Sequence, residues 1–397
     1  MREDEKICLA ALASIPDIGP LTIKRLIAVF GGARAVFRSG AAELAAAVGP
    51  KRANAIVRFS DWRGVRRMLE GVEAAGMKVV TLGSDAYPRM LALIPDPPPV
   101  FYMKGEIGKD DVYALGIVGT RTPTPYGIAQ AEYLAAGLAA KGFTIVSGLA
   151  RGIDTAAHRG ALKAGGRSIA VMGSGLDVPY PRENALLMGR LAASGAVITE
   201  YPPGTAPNKE NFPRRNRIIS ALSLGVLVVE AGKGSGSLIT AGCALEQGKE
   251  VFSIPGNISS AVSLGTNELI KRGARVVTGV DDIIEELAPV LKGFIAEGKA
   301  ASPPQAGSYP EKSYQAELTL PVSTDEKFPA DEKLSPVDEK FSTDERLVIG
   351  ALGPGGRHID EIAREVGFDA PRIMGVLLSL ELKGVIRQGA GKKFFIC

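Results

Sequence analysis

The chain has 397 residues, 46% of them hydrophobic and 23% charged, with a formal net charge of +4. That length suggests two to four domains, and the balance is that of a globular chain, not a disordered or fibrous one. No run approaches the roughly 18 apolar residues of a membrane-spanning helix, and three scattered cysteines (Cys8, Cys243, Cys397) with only two histidines (His158, His358) argue against a disulfide framework, a zinc site or a mechanism built on several histidines.

The charged start, Met1 to Lys6, runs into a helical pattern without a signal-peptide layout, so a cytoplasmic location is expected. The first block, residues 1–76, carries apolar residues at helical spacing and reads as an all-α domain. Two of its turns stand out, Ile15-Pro16-Asp17-Ile18-Gly19-Pro20 before Thr22–Phe30 and Val48-Gly49-Pro50 before Lys51–Val57. Each is a glycine turn into a helix N-terminus, where free N–H groups suit a phosphate. The pair resembles the tandem helix-hairpin-helix motifs of SAM-like domains. Two readings stay open: contact with a DNA backbone, or a helical domain for packing and partners.

Residues 77–290 alternate short apolar runs with helical patterns. The runs are Lys78–Leu82, Ala114–Gly119, Thr144–Ser147, Ser168–Gly173, Ala196–Thr199, Gly225–Glu230, Glu250–Ile254 and Arg275–Val277. Their unbroken Val and Ile content suits parallel strands buried on both faces. The helical patterns between them give a βαβ rhythm, hence an extended Rossmann-like, doubly wound parallel sheet. Residues 291–343 change to Pro, Ser, Glu and Lys, with Asp-Glu-Lys recurring at Asp325, Asp331 and Asp338. Too little is apolar there for a core, so a flexible linker is expected.

Residues 344–397 return to globular composition. Glu345–Leu352, Ile359–Val366 and Pro371–Lys383 read as three helices, the third capped by Asp369. A two-stranded wing follows, turning at Gly389-Ala390-Gly391, which completes a winged-helix pattern. The third helix offers mainly Arg372, Ser379 and Glu381 outward. Duplex contact through that helix and a protein-interaction role both remain open.

In a doubly wound fold, ligands sit beyond the C-terminal ends of the strands. The segments there are Gly119-Thr120-Arg121, Gly148 within Ser147–Asp154, Gly173-Ser174-Gly175 followed by Tyr180-Pro181-Arg182-Glu183-Asn184, Gly232–Ser237 opening a helix with Thr240, and Pro255-Gly256-Asn257. On one rim they would supply a row of N–H donors for phosphates. None fits a sharper template. A Walker A loop fails at Leu227 and Gly234, no G-x-G-x-x-G follows the first strand, and no G-x-S-x-G appears.

The most informative stretch is Lys209-Glu210-Asn211-Phe212-Pro213-Arg214-Arg215-Asn216-Arg217, four cations and one aromatic ring in nine positions ahead of the helix with Ile218 and Ile219. That density suits a polyanion running along a groove, with Phe212 available to stack on a base. The competing reading is an exposed basic helix start with Phe212 in the core. His158 stands four residues after Asp154 on one predicted helix. A hydrogen-bonded structural histidine is expected there rather than a metal or catalytic pair.

At this point the residues resemble the DprA/Smf family of DNA-processing proteins. Gly119-Thr120-Arg121, Ser147–Asp154, Phe212–Arg217 and Ser235-Gly236-Ser237-Leu238-Ile239-Thr240-Ala241 look like its hallmarks in order and spacing. Ser174 departs from the Thr or Cys more often found there. The resemblance implies single-stranded-DNA binding by the Rossmann-like domain, homodimerisation through it, and loading of the RecA recombinase onto DNA coated by the single-strand DNA-binding protein, with no catalysis, metal or cofactor. By position in the motifs, Arg121, Arg182, Lys209 and Phe212 would contact DNA. Gly234, Ser235, Gly236 and Ser237 would add backbone contacts. Gly119, Thr120, Gly148, Arg214, Arg215, Asn216, Arg217 and Thr240 complete the candidate set.

Two other classes compete. A nucleoside-monophosphate-cleaving enzyme of the related lysine-decarboxylase-like fold would carry P-G-G-x-G-T-x-x-E, but Thr240 stands where its catalytic Glu belongs. A pure adaptor would act through the helical ends, against which the Lys209–Arg217 run argues.

Overall fold

The structure, a computed structural model, describes residues 3–296, 343–352 and 357–368, then 373, 376–377, 380, 385–389 and 393–396. It divides into two compact units, Met1–Ser308 and Tyr309–Cys397.

The first unit opens with six helices, α1 (Glu3–Ser14), α2 (Pro20–Phe30), α3 (Ala33–Arg38), α4 (Ala41–Val48), α5 (Pro50–Val57) and α6 (Trp62–Ala74). Their buried Leu9, Leu12, Ile23, Leu26, Leu44 and Ile56 form a core that continues into Val100, Tyr102, Met172 and Leu191 of the following fold. The helical segment and the sheet therefore share one hydrophobic cluster. Both glycine turns lie where the sequence placed them, with Gly19 and Gly49 at the N-caps of α2 and α5 and Pro20 and Pro50 in the first helical turns.

The strands are β1 (Lys78–Thr81), β2 (Val100–Gly105), β3 (Ala114–Val118), β4 (Thr144–Ser147), β5 (Ser168–Val171), β6 (Ala196–Thr199), β7 (Gly225–Val228), β8 (Glu250–Ser253) and β9 (Arg275–Val276). Interleaved are α7 (Arg89–Leu93), α8 (Pro125–Ala140), α9 (Ile153–Lys163), α10 (Ala185–Ser194), α11 (Asn211–Ala221), α12 (Gly236–Glu246), α13 (Leu264–Lys271) and α14 (Val280–Ala296). The nine strands form one sheet in the order β1-β2-β6-β5-β4-β3-β7-β8-β9. The seven from β6 to β9 are parallel, and β3, β4, β5, β6 and β7 are buried at every position. The expected doubly wound sheet is present. Two features differ from the sequence reading: β2 was missed, and β1 pairs with β2, and β2 with β6, antiparallel.

Alternation along the strands builds the two faces. Leu115, Ile117, Ile145 and Leu227 pack with α8, α9 and α14, while Val118, Val146, Val226 and Val228 pack with α11 and α12. The chain winds β3-β4-β5-β6 in one direction, then returns through α11 to place β7 on the other side of β3. That reversal is the topological switch point, the place where such sheets hold ligands.

At this point the start of α8 is fixed by its own sequence. Thr124 caps the helix through Gly127 N–H at 3.1 Å, with Pro125 in the first turn. The buried carboxylate of Glu230, just past β7, accepts from Thr124 N–H at 2.9 Å and from its hydroxyl at 2.5 Å. Gly127 makes room for it, since a Cβ there would lie 2.4 Å from the carboxylate.

The second unit holds α15 (Thr343–Ala351), β10 (Arg357–His358), α16 (Ile359–Val366), β11 (Ile386–Gly389) and β12 (Lys393–Ile396), with sheet order β10-β12-β11. Val348, Ile362, Ile373, Leu377, Ile386 and Phe394 form its core. The expected linker 291–343 is shorter at both ends, since α14 continues to Ala296 and α15 begins at Thr343. Residues 297–342, the expected helix cap Asp369, Arg372, Ser379 and Glu381 of the expected third helix, and 390–391 of the expected turn lie outside the described residues.

Gly127→Ala is expected to lower the stability of the first unit by about 1–3 kcal/mol, the usual range for overpacking a filled site. Thermal unfolding followed by circular dichroism checks this, and an unchanged midpoint would show that Glu230 moves aside freely.

Candidate nucleic-acid interface

A cleft of about 450 Å³ opens at the switch point. Its lining comes from the β3–α8 loop (Gly119, Thr120, Arg121, Thr122), the β4–α9 turn (Ala150) and the start of α9 (Asp154), Lys209 and α11 (Phe212, Pro213, Arg215, Asn216, Ile219), and the start of α12 (Ser235, Gly236, Ser237, Thr240). Eleven of the sixteen candidate residues are among them: Gly119, Thr120, Arg121, Lys209, Phe212, Arg215, Asn216, Ser235, Gly236, Ser237 and Thr240.

The Lys209–Arg217 run is not a stretch ahead of a helix. From Asn211 onward it is α11 itself. Four cations that look equivalent in sequence therefore point in different directions. Lys209, before the helix, is exposed at the cleft mouth. Arg214 is exposed outside the lining. Arg217 turns away, held by both oxygens of Glu200 at 2.7 and 2.8 Å and by Asp96 at 2.9 Å. These ion pairs keep Arg217 well above the ordinary arginine range and commit it to the fold.

Arg215 points inward and is only 3% exposed. It donates to Gly148 O at 2.8 Å and to Val171 O, tying α11 to the ends of β4 and β5. Burial pushes it down to about 10, opposed by the charge of Asp154 and helped by that of Arg121. Asp154 is equally buried, and its carboxyl is raised by desolvation while Arg215 and the Ala150 N–H pull it back. The two groups are buried together at the cleft floor. Gly148 belongs to this floor and not to the lining: a Cβ would lie 2.5 Å from Arg215 Nη2 and 2.6 Å from Asp154 Oδ2.

The turn above that floor is pinned carbonyl by carbonyl. Leu149 adopts φ +57°, a left-handed conformation costing a branched residue about 1–2 kcal/mol. Asn184 donates to Leu149 O at 3.0 Å and Thr155 to Ala150 O at 2.6 Å, which holds the turn there. Sequence reading gave no role to Asn184, and a polar residue 4% exposed is the signal that finds it.

Above the floor, Arg121 lies with Cζ 5.0 Å from the Phe212 ring centroid. Phe212 also meets Tyr180, with centroids 5.5 Å apart, and lies against Gly173, where a Cβ would sit 2.9 Å from its ring. Arg182 is exposed but outside the lining, in the short helical turn after Tyr180. Gly234, φ +77°, shapes the turn into α12 without lining the cleft. Asn216 ties α11 to that turn through Gly236 O at 3.2 Å. Arg121 and Lys209 make no ion pair among the described residues, so the charge of the mouth is uncompensated.

His158 is fully buried, with Nδ1 2.8 Å from Ser168 Oγ, and burial pushes it down to about 3. It is the structural histidine that was expected. Among the described residues no cluster of metal-ligating side chains occurs, and no helix is long and apolar enough to cross a membrane.

Residues 78–288 match the model of the DNA recombination-mediator protein A family, and residues 329–392 match the DprA winged helix domain. The chain belongs to the DNA recombination-mediator protein A (DprA/Smf) family. Protein Smf of Escherichia coli is 38% identical over 83% of this chain and 80% of its own. Protein Smf of Synechocystis is 32% identical over 99% of both chains. The crystal structure of DNA processing protein A from Streptococcus pneumoniae superposes with a TM-score of 0.63 at 32% identity, covering 72% of this chain and 98% of that one. Family membership makes this chain a DNA-processing protein, with a winged helix at its C-terminal end.

Arg217→Ala should cost about 3–5 kcal/mol, the range for breaking a buried ion pair from one side, while Arg214→Ala should leave stability unchanged. Urea denaturation of the two variants checks this. Equal midpoints would mean that Glu200 and Asp96 find other partners.

Proposed function

We propose that the chain binds single-stranded DNA in the switch-point cleft, without chemistry. The observation that carries this reading is the distribution of charge: Arg215 is buried and bonded to Gly148 O and Val171 O, while Arg121 and Lys209 stand unpaired at the mouth beside the start of α12. Unpaired cations flanking helical N–H groups suit a phosphodiester backbone. The cleft of about 450 Å³ is on the scale of single nucleotides, and the comparison of single-stranded with duplex oligonucleotides below decides between them.

The absence of chemistry is supported by the side chains available. Thr240, 1% exposed, stands where a nucleotide-cleaving enzyme of this layout needs a glutamate. Asp154 is buried and accepts from the Ala150 N–H at 3.3 Å, and Glu230 is committed to Thr124. An assay for base release from nucleoside monophosphates is expected to stay at background.

In this reading the protein acts in the cytoplasm in natural transformation and recombination, as a homodimer. It protects the incoming strand and loads RecA recombinase onto DNA covered by the single-strand DNA-binding protein. These partners rest on the family resemblance. Faster RecA strand exchange on such covered DNA when the protein is added would support the loading role, and an unchanged rate would remove it.

Binding is tested by fluorescence anisotropy with single-stranded and duplex oligonucleotides of one length across several salt concentrations. Single strands are expected to bind more tightly, with affinity falling steeply as salt rises. Arg121→Ala and Lys209→Ala should each weaken binding and reduce the salt slope by about 0.7, the value for one phosphate contact on a single strand. Unchanged slopes in both variants would place the strand elsewhere.

A further inference from the structure

The turn after β4 carries a cation outside the candidate set. Ala150 lines the cleft, and the next residue, Arg151, forms an ion pair with Glu183. The turn is stitched to the loop that bears Arg121. Ile153 N–H donates to Thr120 O at 3.2 Å, and a Cβ on Gly152 would lie 2.4 Å from the same oxygen. Glu183 stands three residues after Tyr180, whose ring meets Phe212 of the cleft lining with centroids 5.5 Å apart. The pair therefore joins two segments that border the cleft mouth.

Those segments do not need the pair to stay together. Asn184, next to Glu183 and buried, already ties them, donating to Leu149 O at 3.0 Å and to Thr155 Oγ1 at 2.8 Å. The side chains of Arg151 and Glu183 are 64% and 51% exposed, and an ion pair so open to water adds little to stability. Its larger consequence is electrostatic. The Arg151 guanidinium holds the Glu183 carboxyl below the ordinary carboxylate range, so Glu183 stays charged and offsets the cation. Arg121 and Lys209 carry no such counter-charge among the described residues. A phosphodiester, like a carboxylate, offers two anionic oxygens that match the guanidinium fork.

We propose that Arg151 is a further phosphate-binding residue of the mouth and that Glu183 competes with the strand for it. This rests on the reading of the cleft as a single-stranded-DNA site. The arriving backbone takes Arg151 from Glu183, and the freed carboxylate returns to water. The attraction of Arg151 for the strand is thereby offset by the loss of its own partner, and Glu183 lowers the affinity of the site without touching the buried floor.

The test follows binding of a labelled oligothymidylate to the full chain by fluorescence anisotropy over a series of salt concentrations. Glu183→Gln should tighten binding about 1.5- to 5-fold at low salt, the strength of one exposed ion pair. In that background Arg151→Gln should lower the salt slope by about 0.7, the value for one phosphate contact on a single strand, while Arg151→Lys should keep the slope. With Glu183 present, Arg151→Gln should weaken binding by a smaller factor than with Glu183 replaced. Unchanged affinity in Glu183→Gln would overturn the competition. An unchanged slope when Arg151→Gln is added to Glu183→Gln would overturn the contact, and the cleft would still stand if Arg121→Ala lowers the slope. Flat slopes in the Arg121, Lys209 and Arg151 variants alike would overturn both.

Discussion

A guanidinium group with almost no access to water sits at the centre of this fold. Moving an arginine out of water costs several kcal/mol unless charge and hydrogen bonds replace the lost hydration. For Arg215 the replacement comes from Asp154, Gly148 O and Val171 O, which belong to the turn after β4, to β5 and to the start of α9. One side chain of α11 therefore clamps the return helix onto the ends of two parallel strands. The residues around it follow from that clamp. Gly148 has no Cβ because the clamp fills the space, Leu149 takes a left-handed turn over it, and Asn184 and Thr155 hold that turn.

The clamp also separates two kinds of positive charge. Inside, the arginine is bonded to two backbone carbonyls and serves geometry. Outside, Arg121 and Lys209 have no partner and keep their charge available. A similar division appears at the helix N-termini of the switch point. The start of α8 is filled by the protein's own anion, the carboxylate of Glu230. The start of α12, Ser235 to Ser237, opens into the cleft. On the proposed reading, phosphates lie toward α12, because the other helix terminus has already been satisfied.

Much of this was legible in the sequence. Buried parallel strands write themselves as short apolar runs rich in Val and Ile, and five of the nine strands, β3 to β7, are of that kind. β2 escaped because Pro97-Pro98-Pro99 immediately precedes it and masks the short run Val100–Met103. The antiparallel pairing of β1 has no local signature, since pairing direction is set by which strand lies alongside. Most of the cleft lining was also readable, because glycine turns after strands mark the ligand edge of such a sheet. What could not be read was the role of each cation in Lys209–Arg217. The sequence reading set the stretch ahead of the helix with Ile218 and Ile219, whereas α11 begins at Asn211 and carries Pro213 in its first turn, where proline is well tolerated. Once the stretch is a helix, successive residues turn by about 100°. Arg214, Arg215 and Arg217 then face solvent, core and Glu200 in turn.

The central claim, that a single strand occupies the switch-point cleft, is tested most directly by backbone amide hydrogen exchange with and without a short oligothymidylate. A strand held there slows exchange at 119–122, 209–216 and 235–237 and leaves the helices of residues 3–74 unchanged. Protection confined to the turns at Gly19 and Gly49, with the cleft segments unaffected, would contradict it and move the DNA to the helical N-terminal segment.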